Sequence, residues 1–162
     1  MKPKFITVGV YGFDEETFFQ ALETAQVDTF CDIRWRRGVR GSEYAFANSQ
    51  RLQARLAELG IRYRHCRELA PTPAVRQRQN EADKASKTPK RQRTGLSPAF
   101  VEAYREEILA HFEPQLLLDD LLPDAQVVAL FCVEREPAAC HRSLVAEKLA
   151  RETGVTVEHI VP

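Results

Sequence analysis

The sequence predicts an α/β fold in which one mostly parallel central sheet carries helices on both faces. Short apolar or β-branched runs alternate along the chain with stretches of helical periodicity. The connections between most of these elements are short, which favours right-handed crossovers and therefore parallel neighbouring strands. With 162 residues, 44% of them hydrophobic and 28% charged, the chain suits a single domain over residues 1–162 with one core.

The first part of the chain contains three predicted strands and two predicted helices. The strands are predicted at residues 5–10, 29–33 and 61–65. Asp14 is an expected N-cap for the first helix, in which Phe18 and Leu22 lie on one face. Ser49 is an expected cap for the second helix, which ends at Gly60.

Residues 66–96 lose this periodicity and contain several prolines and many basic side chains. A stretch this long without a predicted element is typical of a functional or mobile loop, so we expect a basic, flexible insertion there.

Regular elements resume at Ser97-Pro98, a pair that commonly begins a helix. We expect that helix to reach about residue 111 and a short helical turn to follow at 116–122. The nearly all-apolar run 127–131 predicts a strand buried on both faces. A helix then follows Cys140 and ends at Gly154, and a last strand covers 155–161.

The net charge of zero conceals an uneven distribution along the chain. Residues 34–93 carry sixteen Lys or Arg against five Asp or Glu, whereas the flanking segments are both acidic. A basic segment within an acidic chain indicates a surface for an anionic small molecule or a nucleic acid. A basic loop that is merely solvated is the alternative.

The sequence also excludes some classes of protein. It has no run of about 18 apolar residues, and its first residues lack the apolar stretch of a signal peptide, so we expect a cytoplasmic protein without a membrane partner. Its four cysteines include no Cys-x-x-Cys pair, which favours reduced thiols. The oligomeric state does not follow from the sequence.

Chemically capable side chains gather where the predicted strands end. Because ligands of parallel sheets bind outside the carboxyl ends of the strands, these residues are the candidates for a site. They are Tyr11, Asp32, Arg34, His65, Cys132, Glu134, Cys140, His141 and Arg142.

The triplet Cys140-His141-Arg142 carries the most information. A thiol at a helix N-terminus beside His and Arg is expected to have a lowered pKa, which suits a nucleophile or a metal ligand. Arg142 adds a guanidinium that can bind phosphate. The alternative is structural: a buried cysteine, a capping histidine, and an arginine paired with Glu134 or Glu136.

Two familiar kinds of site do not fit the spacing. A phosphatase loop needs an arginine six positions after its cysteine, but Ala138 stands there after Cys132. Cys132, Cys140, His141 and His65 contain zinc-ligand types, yet the two cysteines are eight positions apart, so we expect no metal and no cofactor. Glu134 is instead a candidate general acid or base, or a neutralising partner for a nearby arginine.

The loop after the second strand contains Arg34, Trp35, Arg36, Arg37 and Arg40. Arginines beside an aromatic side chain can hold phosphates and stack on a base, although Trp35 packed over the sheet edge is equally consistent with the pattern. A second basic run is weaker evidence for nucleic-acid binding. It comprises Lys84, Lys87, Lys90, Arg91 and Arg93.

Several blocks of the sequence resemble one family. They are Thr7-Val8-Gly9 with Tyr11, Asp32-Ile33-Arg34, residues 60–65 with Glu68-Leu69, and above all Cys132-Val133-Glu134 with Cys140-His141-Arg142. Together they resemble the domain-of-unknown-function family 488 (DUF488), whose members are small prokaryotic α/β proteins. The resemblance implies this fold and one site at these motifs, and it leaves the reaction open.

Three functions are therefore considered. The first is an enzyme acting on a phosphate-bearing substrate, a nucleotide or nucleic acid, with Arg34 and Arg142 holding the anion. In it, Cys140 or Cys132 is the nucleophile, and Glu134 or His141 moves protons. The second is a non-catalytic accessory protein that binds nucleic acid. The third is a metal-dependent or thiol-redox protein that uses the same cysteines.

Overall fold

The computed structural model describes residues 2–89 and 92–162, in which five strands form one sheet. Every neighbouring pair in the order β3-β2-β4-β1-β5 is parallel, which confirms the predicted α/β class. β4 lies at the centre and is almost wholly buried, as its apolar sequence predicts. The strands are β1 (Lys4–Val8), β2 (Thr29–Asp32), β3 (Arg62–His65), β4 (Val127–Phe131) and β5 (Val157–Ile160).

Within residues 2–89 and 92–162, six α-helices accompany the sheet. They are α1 (Glu15–Thr24), α2 (Ser49–Glu58), α3 (Pro73–Ser86), α4 (Pro98–Glu107), α5 (Pro114–Leu121) and α6 (His141–Thr153). The predicted cap of α1 is confirmed, because the Asp14 carboxylate accepts from the Thr17 N–H at 2.8 Å. None of the helices in the described part of the chain is both long enough and apolar enough to cross a membrane.

The strand order places the helices on two faces. The chain moves from β1 through β2 to β3 at one edge and then returns through β4 to β5. Right-handed crossovers therefore put α1 and α2 on one face and α3 to α6 on the other. Side-chain contacts agree with this assignment of helices to faces. The Phe18 ring of α1 packs 5.6 Å from the Phe131 ring of β4 on one face, and Tyr104 of α4 contacts His141 of α6 on the other.

Helix α3 corrects the sequence analysis, which predicts no regular element within 66–96. The start signal is present, because Thr72 caps the helix at the Val75 N–H and Pro73 is its first residue. The apolar pattern is weak, because one of the buried positions is Gln79, whose side-chain oxygen accepts from the Ser97 N–H at 2.8 Å. The flexibility expected of this segment stays a prediction.

The remaining differences concern the ends of elements. β1 ends at Val8 because the Val10 and Tyr11 N–H groups both turn to the Val133 carbonyl oxygen, at 3.0 Å each. α4 ends at Glu107 and is followed by a 3-10 turn over Leu109–His111, instead of continuing to residue 111. The last strand is shorter than predicted at both ends.

Candidate functional site

The loops that follow β4 bring two cysteines and a histidine together. Cys132 directly follows the strand, Cys140 is the N-cap of α6, and His141 is the first residue of that helix. The His141 Nδ1 atom lies 3.8 Å from the sulfur of each cysteine. The three ligand-type atoms all lie within 4.8 Å of one another. We call Cys132, Cys140 and His141 the thiol–imidazole cluster.

The His141 ring is held in one orientation. Its Nε2–H donates to the Ile33 carbonyl oxygen at 2.8 Å, and Tyr104 packs edge-on against the ring at 5.4 Å. Because a carbonyl oxygen can only accept, Nε2 carries the proton and Nδ1 faces the two sulfurs. The imidazole is thereby prepared to accept a proton or bind an ion on the side of the cysteines.

The two thiols have different electrostatic environments. Burial alone raises the pKa of Cys140, but a hydrogen bond from Cys132 and electrostatic interactions with His141 and Arg142 outweigh it and hold this pKa well below its ordinary value. Burial, the hydrogen bond to Cys140 and the negative charges of Cys140 and Glu134 raise the pKa of Cys132 well above its ordinary value. Cys140 is therefore the more acidic thiol of the pair.

Glu134 connects the thiol–imidazole cluster to two arginines. Its Oε2 atom lies 3.7 Å from the Cys132 sulfur, and its Oε1 atom accepts from Arg93 at 2.6 Å. Arg93 also donates to Asp83 at 2.6 Å. Arg76 of α3 approaches Glu134 Oε1 to 3.8 Å and keeps a quarter of its side chain exposed. A carboxylate buried against thiols is thus compensated by the basic segment that contains α3.

Arg142 holds the loop that carries Glu134. Its guanidinium is fully buried and donates to the main-chain oxygens of Glu134 and Arg135, at 2.6 and 3.1 Å. Gly9 makes room for this contact, because a Cβ atom there would lie 1.8 Å from the Glu134 carbonyl oxygen. Arg142 therefore lies beside the loop that carries Glu134, and both of these hydrogen bonds go to main-chain oxygens.

Arg34 is also buried, and it binds protein groups. It makes a two-pronged contact with the Asp32 carboxylate, at 2.8 Å for each hydrogen bond, and donates to the Ala47 carbonyl oxygen at 2.9 Å. The guanidinium lies over the Phe131 ring at 4.7 Å, and the Tyr63 hydroxyl donates to Asp32 at 2.7 Å. These contacts lie on the α1 and α2 face of the sheet, away from the thiols.

Tyr11 and His65 stand at the same edge of the sheet without joining the thiols. Tyr11 is buried, and its ring packs against Tyr44 at 5.2 Å. The His65 Nε2–H donates to the Arg34 carbonyl oxygen at 2.8 Å. The backbone of the loop after β2 therefore orients His65, which is not part of the thiol–imidazole cluster.

The loop after β2 presents cations to solvent. Trp35 is half-buried and carries the Arg67 guanidinium over its ring at 4.0 Å, whereas Arg36 and Arg37 are exposed. A hydrogen bond to Tyr63 raises the pKa of Arg37. In the other basic run, Lys84 and Lys87 are exposed and Arg93 is buried, while Lys90 and Arg91 lie outside the described residues.

Sequence reasoning did not assign Arg76 or Asp83 to the site, and it treated Arg93 only as part of a surface run. These three residues lie on or after α3, the helix that the pattern analysis missed. The Thr72-Pro73 pair was the available signal, because it has the form that correctly located the start of α4 at Ser97-Pro98.

Comparison with known proteins identifies the family and nothing narrower. A family model described as "Domain of unknown function DUF488" matches residues 14–149. No curated protein and no solved structure matches the chain. The matched range contains the whole thiol–imidazole cluster, Glu134 and the arginines around it.

Proposed function

Since the chain belongs to the DUF488 family and the family's description assigns no reaction, we propose a function from the site itself. We propose that the protein is an enzyme acting on a phosphate-bearing substrate, either a nucleotide or a nucleic acid. Its reaction centre is the thiol–imidazole cluster with Glu134 beside it.

One observation carries this proposal: the Glu134 carboxylate lies between the thiols and two arginines. One oxygen is 3.7 Å from the Cys132 sulfur, and the other is 2.6 Å from Arg93. Strongly shifted pKa values, such as those of Cys132 and Cys140 beside this ion pair, concentrate at reactive sites. The arrangement therefore supports proton transfer by Glu134 next to the cluster.

The anion side of the proposal rests on Arg76 and Arg93. Arg76 reaches both solvent and Glu134, because a quarter of its side chain is exposed. The buried Nε atom of Arg93 has no hydrogen-bond partner among the described residues. A substrate phosphate that binds Arg76 and the Nε–H of Arg93 would draw Arg76 away from Glu134 and leave the buried contacts of Arg93 to Asp83 and Glu134 in place.

The sequence analysis predicts that Arg34 and Arg142 hold the anion, whereas this proposal gives that role to Arg76 and Arg93. Arg34 and Arg142 have several of their donors engaged by Asp32 and by main-chain oxygens. Breaking those buried contacts to bind a substrate would cost several kcal/mol. Arg76 offers a guanidinium at lower cost, since its approach to Glu134 is 3.8 Å and partly solvated.

The experiment is a turnover assay on a panel of nucleoside mono-, di- and triphosphates and short oligonucleotides. Cys140→Ala is expected to lower kcat by about 100-fold or more. Cys31→Ala is the matched control, because Cys31 is equally buried and lies in β2, outside the cluster. Arg76→Gln is expected to raise KM about tenfold with a smaller effect on kcat. Turnover that survives Cys140→Ala would contradict the proposal.

A non-catalytic role in nucleic-acid binding is the second candidate, and it is favoured by the exposed arginines beside Trp35. Arg36 and Arg37 share this edge with the Arg67–Trp35 pair, which is a combination suited to phosphates and a stacked base.

Salt dependence tests this second candidate. The Arg36→Gln, Arg37→Gln double variant is expected to reduce the slope of log Kd against log salt for a single-stranded oligonucleotide by about one to two units. Arg105→Gln, an exposed change on α4, is the control. An unchanged slope in the double variant would exclude this surface.

A further inference from the structure

We propose that Cys132, Cys140 and His141 bind one divalent transition metal ion, of the zinc type, through two thiolate sulfurs and Nδ1. The inference deepens the proposed function and rests on it for the catalytic role of the metal, whereas the binding itself is tested separately. Two soft sulfur ligands and an imidazole form a donor set that selects zinc over magnesium or calcium.

The distances are close to those of a tetrahedral zinc site. Zinc bonds of about 2.3 Å to sulfur and 2.0 Å to nitrogen place a sulfur and a nitrogen ligand about 3.6 Å apart. His141 Nδ1 lies 3.8 Å from the Cys132 sulfur and 3.8 Å from the Cys140 sulfur. Contraction of a few tenths of an ångström would therefore bring both sulfur–nitrogen distances to those of a zinc site, and the two sulfurs lie within 4.8 Å of each other.

The orientation of His141 supports the same assignment. Metal-bound histidines usually donate their second ring N–H to a carboxylate or a main-chain oxygen, which presents the lone pair of the other nitrogen to the metal. Here Nε2–H donates to the Ile33 oxygen at 2.8 Å, and Nδ1 points to the sulfurs. The supporting contact is present in the fold and needs no rearrangement.

Burial of the cluster favours an ion there. Cys132 is 2% exposed, and Cys140 and His141 are each 1% exposed. Two thiolates and a divalent cation together carry no net charge, so a bound ion would compensate the charge of its two sulfur ligands at this buried position. Each thiol that is protonated before the ion binds releases its proton to solvent.

Three protein ligands leave a fourth position. Catalytic zinc sites keep such a position for water or substrate, whereas structural sites usually fill it with a fourth side chain. Glu134 does not belong to the three-atom group, although its Oε2 atom approaches the Cys132 sulfur to 3.7 Å. Arg93 holds its other oxygen, so Glu134 is placed to accept a proton from a water bound at the fourth position.

The spacing explains why the sequence did not reveal this set. Cys132 and Cys140 are separated by seven residues, whereas zinc motifs usually pair their cysteines two to four residues apart. A 3-10 turn at Pro137–Ala139 folds the intervening loop and returns Cys140 to the end of β4. Proximity therefore comes from the loop conformation and the start of α6.

A second pair of buried cysteines, Cys31 and Cys66, provides a control for the proposed metal ligands. Cys31 and Cys66 are both fully buried and hydrogen-bonded to each other, a contact that together with burial raises the pKa of Cys31. Within the described residues, that pair forms no group of three ligand-type side chains. Removing Cys31 thus deletes a buried thiol without touching the proposed ligands.

The test measures metal binding directly. Protein purified without chelators is stripped, incubated with excess Zn²⁺, desalted and analysed for metal by mass spectrometry. About one equivalent is expected for the natural chain and for Cys31→Ala, and less than about a tenth for Cys140→Ala and Cys140→Ser. Circular dichroism confirms that each variant is folded, and the serine variant preserves the side-chain volume.

Cobalt provides the spectroscopic signature. Stripped protein loaded with Co²⁺ is expected to show sulfur-to-cobalt charge-transfer absorption and the visible bands of a tetrahedral ion, and both disappear in Cys132→Ser and His141→Ala. Absence of Zn²⁺ binding and of these bands in the natural chain would overturn the inference. Cysteine-dependent turnover without bound metal would overturn it and leave the proposed enzyme standing. One equivalent of zinc without turnover would do the reverse.

Discussion

His141 and Ile33 are joined by a hydrogen bond of 2.8 Å from the ring Nε2–H to the main-chain oxygen. This bond links the first turn of α6 to the residue that follows β2. It determines which nitrogen of the imidazole faces the two cysteines, and so it determines what the cluster can bind.

The tautomer of His141 is the first prediction. Nε2 is expected to carry the proton of the neutral ring, because this nitrogen faces the Ile33 carbonyl oxygen. Long-range nitrogen–proton NMR spectra of selectively labelled protein distinguish the two nitrogens. Detection of a neutral ring with its proton on Nδ1 would contradict the orientation described here.

Replacement of Gly9 is expected to destabilise the protein strongly. In Gly9→Ala the new methyl group would lie 1.8 Å from the Glu134 carbonyl oxygen, so the backbone of one of the two loops must move. We expect a loss of about 3 kcal/mol or more in the free energy of unfolding, measured by urea denaturation. Gly95→Ala is the control, because a Cβ atom there meets nothing within 4 Å. Equal stability of the two variants would contradict the packing.

The buried pair of Asp32 and Arg34 is expected to resist substitution of one partner. Asp32→Asn leaves the Arg34 guanidinium without its charge partner at 3% exposure, which costs about 3–5 kcal/mol. Glu158→Gln is the matched change in an exposed pair with Lys4 and is expected to cost about 1 kcal/mol or less. Chemical denaturation of both variants checks the difference, and a cost for Asp32→Asn as small as that of the exposed pair would argue against a buried contact.

His159 gives the protein a pH-dependent stability. Burial and the charge of Arg142 lower its pKa in the folded protein, and the ring lies 2.6 Å from the Thr7 hydroxyl. The unfolded chain, with a histidine pKa of about 6.5, then binds this proton more tightly than the folded chain. The contribution of His159 to stability is therefore present above about pH 6.5 and is lost as the pH falls through the folded value.

NMR titration measures this pKa directly, and denaturation at several pH values measures its effect on stability. His159→Gln is expected to flatten the fall in stability between about pH 7 and 5. A His159 pKa at or above the unfolded value, or an unchanged slope in the variant, would be inconsistent with the prediction.

The parts of the fold that sequence reasoning located have strong local causes. The apolar run of β4, the Asp14 cap and the Ser97-Pro98 start are each determined by neighbouring residues, and the structure confirms them. α3 was missed because its buried face includes the polar Gln79, whose partner is the backbone of Ser97. A helix recognised by a polar tertiary contact has little apolar periodicity to detect.

The sequence shows that Cys132 and Glu134 follow β4, but the contacts of the candidate site depend on residues distant in the chain. Arg93 and Glu134 are 41 positions apart and meet only because the segment containing α3 packs at this edge. Gathering Cys132 with Cys140 and His141 similarly requires the turn at Pro137–Ala139. A pattern of neighbouring residues therefore predicts neither the contact between Arg93 and Glu134 nor the approach of Cys140 and His141 to Cys132.

The strand order has a consequence for how the chain acquires its structure during synthesis. β4 lies between β2 and β1, and both neighbours of β1 are encoded in the last quarter of the chain. A nascent chain that has emerged only to residue 120 can pair β2 with β3, but its β1 has no strand beside it. Such long-range pairing is slow, so the sheet can close only after β4 and β5 have been synthesised. Ribosome-bound fragments would therefore expose the apolar residues of β1. Cys132 and Cys140 follow β4 in the chain, so they would come together only after β4 has paired with β1 and β2.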